Sequence, residues 1–291
     1  MVLRLILLLL GSYACSTSAI WIRCSSVPPT LLAAYRLLIA AAALTPLFAR
    51  DLAARRHTFD WRQLRLTLLP GIVLGVHAIA WNVGAEKTAV ANATLIVNMV
   101  PIAMPFFLLM LIREKLTGPE LAGTAVSLVG VVALGAAELH VSAAHFAGDV
   151  ICFGSMLLFA FYLALGRKNR AFPSIWLYVV PMYFIGGLTC LAAVPFEPGE
   201  PVTYNARELV MILGLALVST AMGHSILNYC LKHMRGQVVS IINLFQFVFA
   251  GIMAVVIFGE APAWAFYPAS ALVVVGTIIV LKARRRAGEL Q

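Results

Sequence analysis

The sequence predicts an all-α membrane protein with ten transmembrane helices, arranged as two inverted five-helix repeats with both termini cytoplasmic. Three observations lead there. The 291 residues are 62% hydrophobic and only 11% charged, whereas a soluble domain carries roughly 25% charged residues, so most of the surface must face lipid. Lysine and arginine are confined almost wholly to alternate loops. The stretch 81–134 also returns in the second half of the chain, shifted by 146 to 147 residues.

An apolar helix needs about 20 residues to cross a bilayer. Ten runs qualify, at roughly 3–22, 30–49, 67–85, 91–112, 118–137, 146–165, 175–195, 207–230, 236–258 and 262–282. The loops between them are short, and no further soluble domain is expected. Arg4 ahead of a leucine run is reminiscent of a signal peptide, but the apolar run continues to Ile22 and reads as a retained first span. Pro28, Pro29 and Pro173 precede helix starts, while Pro46 and Pro195 coincide with the expected ends of the second and seventh helices. Proline lacks an N–H and suits a first helical turn or a position outside the helix.

The formal charge of +9 does not call for a nucleic acid, because membrane proteins accumulate lysine and arginine in cytoplasmic loops. With the N-terminus inside, 17 of the 21 basic residues fall on the cytoplasmic side, among them Arg113, Lys115, Arg167, Lys232 and Arg235. Arg23, Lys87 and Arg207 fall outside, and Arg36 lies within a span. Both termini inside requires an even number of spans, which ten satisfies.

In the repeat, His77 pairs with His224, Ala89 with Gly236, Glu114 with Glu260 and Gly130 with Gly276. Each half, 1–141 and 142–291, has five spans. An odd number means that the second half enters the membrane from the opposite side. Inverted repeats of this kind are typical of secondary transporters, with a midplane site between halves that rock to expose it alternately.

Three stretches carry a resemblance that covers nearly the whole chain: AAYRLLIAAAALTPLF (33–48), GAEKTAVANATLIVNMVPIAMPFF (84–107) and REKLTGPELAGTAVSLVGVVAL (113–134), with FGEAPAWAFYPASALVVVGTIIV (258–280) as a weaker second copy. The chain resembles the ten-helix EamA-type permeases of the drug/metabolite transporter superfamily. The resemblance implies a multi-pass permease of the cell inner (plasma) membrane, often an exporter of amino acids, related metabolites or drugs. It does not identify the substrate.

Polar side chains at membrane depth are expensive and usually face the bundle interior. His77 and Trp81 share one face of the third span, and His224 and Asn228 take the equivalent face of the eighth. Thr94, Asn98, Pro101 and Pro105 form one stripe of the fourth span, and Asn243 and Gln246 lie on its repeat partner, the ninth. Tyr13 on the first span and Tyr162 on the sixth, beside Ser155 and Phe159, offer an aromatic and hydroxyl lining. The candidate substrate-binding set is therefore Asn98, Asn243, Gln246, His77, Trp81, His224, Asn228, Tyr13 and Tyr162, although helix–helix hydrogen bonding would use the same residue types. Arg36, the basic residue within a span, could pair with an anionic substrate group, but it sits near one end and the stronger expectation is that it snorkels to the interface. Gly71 and Gly75 form a small-xxx-small packing pattern. Glu114 and Glu260 are expected to hold turns and cap the helices that follow.

No Asp or Glu lies deep in a span, so only His77 and His224 could carry a coupled proton near neutral pH. Either a histidine couples transport to protons, or transport is facilitated and downhill, and the sparse titratable residues favour the second. The five cysteines are scattered singly and read as small buried hydrophobes. No catalytic residue, metal site or cofactor is expected. The partners are a small-molecule substrate and the bilayer, with monomer and homodimer both open. Two alternatives remain: a lipid-modifying enzyme, which would need clustered catalytic groups, and a channel or scaffold, which would favour a symmetric ring of charge or carbonyls.

Overall fold

Gly75 in the third span lies so close to the seventh that a Cβ on it would stand 2.6 Å from the Gly186 carbonyl oxygen. Such contacts set the fold in a computed structural model of the chain, which describes residues 2–88, 90–138, 146–197, 203–259 and 264–286. Every described regular element is helical. Nine helices among the described residues are long and apolar enough to cross a membrane, and Gly118–Leu134 is a shorter apolar helix at the place of the fifth expected span. The protein is thus a multi-pass membrane protein.

The second span runs Pro29–Ala54, the third Leu68–Lys87, the fifth Gly118–Glu138, the sixth Phe146–Lys168, the seventh Ile175–Ala193 and the tenth Phe266–Arg286. Pro46 does not end the second helix, which continues eight residues beyond it to Ala54. A proline removes one backbone bond, and a membrane helix tolerates that loss where neighbours shield it. Pro195 does fall at the expected end, inside a short 3₁₀ turn at Val194–Phe196.

Among the described residues, four spans are interrupted. The first breaks at Thr17, between Val2–Ser16 and Ser18–Cys24. The fourth divides into Val90–Val97 and Val100–Ile112, and the ninth into Gly236–Asn243 and Phe245–Phe258. The eighth comprises Ala206–Leu213, a π-helical stretch Gly214–His224, and Ser225–His233. The fourth and ninth are repeat partners and break at corresponding places. Their ends correspond too: Arg113 (φ 55°) and Gly259 (φ 68°), 146 residues apart, are left-handed residues that close them. Glycine takes that conformation freely; arginine does so at a steric cost, offset here by its N–H bonding Leu109 O at 3.0 Å.

Helix neighbours repeat the internal symmetry. The second span packs on the seventh, the fourth on the ninth and the fifth on the tenth. The first packs on the eighth, and the third, its partner by symmetry, on the sixth. Without a hydrophobic drive between helices in lipid, close contact at small residues supplies the packing energy. Gly71 and Gly75 meet Gly186 between the third and seventh spans, Gly123 and Gly130 meet the tenth, and Gly223 meets Cys15 between the eighth and first. Four of the five cysteines are buried and all are free, as small hydrophobes would be. Ala89, Glu260 and the expected boundary at 141/142 lie outside the described residues.

Candidate functional site

Where the third, sixth and eighth spans meet, six of the polar and aromatic side chains form one layer. His77 Nδ1 lies 3.0 Å from the Ser155 carbonyl oxygen and 2.9 Å from Ser155 Oγ, which in turn donates to the His77 carbonyl at 3.3 Å. A carbonyl only accepts, so the neutral imidazole carries its proton on Nδ1. That nitrogen is not a base for the serine, and the pair ties two helices together. The His77 ring stacks on Phe159, centroids 4.8 Å apart and 12° from parallel. Phe159 and Tyr162 both contact the His224 ring, each at 5.8 Å. Asn228 donates through Nδ2 to the Tyr162 hydroxyl and, at 2.8 Å, to the His224 carbonyl. His224 Nδ1 and Asn228 Oδ1 are buried with no hydrogen-bond partner among the described residues, and such atoms call for an explanation.

Arg36 joins this layer from the second span, and here the expectation fails. It does not snorkel: the residue is 4% exposed, and its Nε donates at 3.0 Å to Thr220 Oγ1 in the π-helical stretch. Thr220 Oγ1 in turn donates to Leu215 O at 3.1 Å, five residues back, and the Thr220 carbonyl accepts from the Tyr183 hydroxyl. An end position permits snorkelling only when the side chain points outward. The register of the second helix points Arg36 inward.

Asn98 and Asn243 flank the two helix breaks, buried at 4% and 2% exposure. Asn98 Nδ2 donates to Thr94 O at 2.7 Å, a carbonyl that also accepts the Asn98 backbone N–H at 3.2 Å. Asn243 Oδ1 accepts from Gln246 Nε2 at 2.6 Å. The ninth span is tied to the fourth and fifth by a residue that the spacing arguments missed. Gln237 Nε2 donates to Pro101 O at 3.1 Å and to Thr124 Oγ1 at 2.8 Å. Pro101 O is the carbonyl whose helical partner would be the missing N–H of Pro105. A proline four residues after a carbonyl, with an amide side chain on the repeat-partner helix, was the available signal.

Tyr13 stands apart from the layer: its ring meets Phe249 edge-on at 5.6 Å and is 44% exposed. Trp81, one turn along from His77, is buried and lines a cavity of about 400 Å³ together with Asn82, Leu32, Thr94, Arg23 and Glu86. This cavity lies at the end of the bundle that carries Arg23 and Lys87. Its rim is held by Glu208, which accepts from Ser25 Oγ at 2.8 Å and from Ser26 N at 3.1 Å, pinning the turn between the first two spans to the eighth.

The opposite end is tied together by charge. Glu114 pairs with Arg167 Nε at 3.0 Å, both side chains 9% exposed, and its other oxygen accepts from Gly236 N at 3.0 Å. Arg167 also donates to Leu231 O at 3.1 Å, and Arg235 pairs with Glu120 at 2.6 Å. Glu114 therefore does cap a helix, but the ninth rather than the fifth. The fifth is capped by Thr117 and Glu120, which accept from each other's backbone N–H in the manner of a capping box.

Comparison with known proteins agrees with this architecture. The model of the EamA-like transporter family matches residues 2–136 and 146–282. An "Uncharacterized transporter" of Clostridium kluyveri is 20% identical over 263 residues, covering 87% of this chain and 84% of that protein. A crystal structure of another protein, 20% identical, superposes with a TM-score of 0.79 over 98% of both chains; at that identity the likeness is one of fold.

Proposed function

This chain belongs to the EamA-like transporter family and is a membrane transporter, and we propose that it moves a small organic solute by alternating access. The carrying observation is the pair of interrupted helices in corresponding positions of the two repeats, with Asn98 and Asn243 at the breaks. Discontinuous helices at the repeat interface are where transporters bind substrate near the midplane. The proposed pathway is lined by Asn98, Asn243, Gln246, His77, Trp81, His224, Asn228 and Tyr162, with Tyr13 beside it on the first span.

The repeats, 1–141 and 142–291, are inverted in this reading, since five crossings per half reverse the second. The concentration of lysine and arginine puts both termini in the cytoplasm of an inner (plasma) membrane protein. The cavity at Trp81 then opens to the outside, and the Glu114–Arg167 and Arg235–Glu120 pairs close the inside. Export is the direction that the family resemblance implies, and transport is read as facilitated rather than proton-driven, because no Asp or Glu of the sequence lies deep in a span.

The test uses a cysteine-free background with Thr94→Cys, a cavity-lining position. A membrane-impermeant maleimide should label it from the external face, and adding Glu114→Gln, which weakens the cytoplasmic closure, should move labelling to the inner face. Labelling from one face in both backgrounds would refute alternating access.

A further inference from the structure

Arg36 is the feature that the transport reading has not absorbed. It is the eighth residue of the second span, about 10 Å along the helix from Pro29, and is buried. Its one hydrogen bond among the described residues runs from Nε to Thr220. No carboxylate among the described residues pairs with it. The acids of the spans around it stand at helix ends: Glu86 is exposed at the cavity, Asp149 accepts from Thr88, and Glu208 is held by Ser25 and Ser26. What does lie within electrostatic reach is Tyr162, Tyr183, Cys15 and Cys190, with His77 and His224. A buried charge left unpaired is costly, so buried charges are normally paired.

The geometry limits what could pair with it. Thr220 holds Nε, so the remaining donors are Nη1 and Nη2, a planar fork that matches a carboxylate with two parallel hydrogen bonds. His224 Nδ1 and Asn228 Oδ1, in the same layer, lack partners among the described residues. The cavity lining ends about one helical turn short of this layer. Leu32 and Trp81 line it, and each is one helical turn, about 5.4 Å, from Arg36 and His77 respectively. The stacked rings of His77, Phe159 and Tyr162 would receive an apolar body.

We propose that Arg36 binds the carboxylate of the transported solute, and that the solute is a net organic anion, because the layer offers a fixed positive charge and, among the described residues, no acid to receive an ammonium. The assignment rests on the transport reading and names its substrate class.

The experiment measures the thermal unfolding midpoint of the purified full-length protein in detergent. The probes are monocarboxylates from acetate to benzoate, their matched amines, and glycine and phenylalanine as zwitterions. At least one monocarboxylate should raise the midpoint where its matched amine and the zwitterions do not. Arg36→Met should weaken that response at least tenfold while leaving the ligand-free midpoint unchanged or higher, since it removes an unpaired buried charge. Arg36→Lys, which keeps the charge but lacks the fork, should fall between.

The proposal is overturned if no monocarboxylate stabilises the protein, if amines or zwitterions do so equally, or if Arg36→Met keeps the full response. Should Arg36→Met yield no folded protein, Arg36→Lys decides: loss of affinity supports the assignment and full retention overturns it. The labelling switch at position 94 needs no ligand. A transporter that switches but ignores carboxylates would therefore refute this assignment alone.

Discussion

Replacing Gln237 by leucine tests whether the two repeats are joined through the proline-freed carbonyl. The change keeps the side-chain volume roughly constant and removes two hydrogen bonds, to Pro101 O at 3.1 Å and Thr124 Oγ1 at 2.8 Å. A buried carbonyl left without a partner costs about 1–3 kcal/mol. An interhelical side-chain bond in a membrane bundle contributes about 0.6 kcal/mol. Gln237→Leu should therefore lose about 2–3 kcal/mol in reversible denaturation of the solubilised protein. The same change in a Pro105→Ala background should cost only about 0.6–1 kcal/mol, because an alanine at that position supplies the N–H that Pro101 O lacks. The coupling between the two sites, read from the double-mutant cycle, is thus expected near 1–2 kcal/mol. Additivity within about 0.5 kcal/mol, the range found for independent sites, would refute the account.

Three further outcomes are expected. Gly75→Leu should destabilise by about 1–3 kcal/mol or prevent folding, since even a Cβ would sit 2.6 Å from Gly186 O; a variant with wild-type melting would disprove the contact. Arg167→Ala should cost more than the Arg167→Met, Glu114→Met pair, because breaking a buried ion pair costs about 3–5 kcal/mol while replacing both members is often neutral; equal melting temperatures for the two would contradict this. Phe159→Ala should lose about 3–5 kcal/mol, because the ring is packed against His77, Tyr162 and His224, and fluorescence-monitored unfolding measures the loss.

Much of the fold is legible because its causes are local. Hydropathy over a window of span length depends only on neighbouring residues, so the apolar helices, nine of them long enough to span among the described residues, stand in the sequence, and the repeat reveals itself at His77 and His224. Part of the site is legible for the same reason. Two histidines, two asparagines and a face of Ser155, Phe159 and Tyr162 are conspicuous in apolar runs, and the structure brings most of them into one layer.

Other features could be decided only by packing. Whether Arg36 reaches the interface or the interior depends on the rotation of its helix against the seventh and eighth spans, and composition carries no record of that rotation. Glu114 looks like a local cap until the first half of the chain is folded against the second, when Arg167 and Gly236 become its partners. Gln237 acquires its role only because a proline 132 residues earlier frees a carbonyl beside it. The sequence alone set the apolar helices, their repeat and the polar residues within them, because these follow from each residue's transfer between water and lipid. Tertiary structure decided which polar groups meet, since a hydrogen bond or ion pair forms only between atoms that the whole fold brings within about 3 Å.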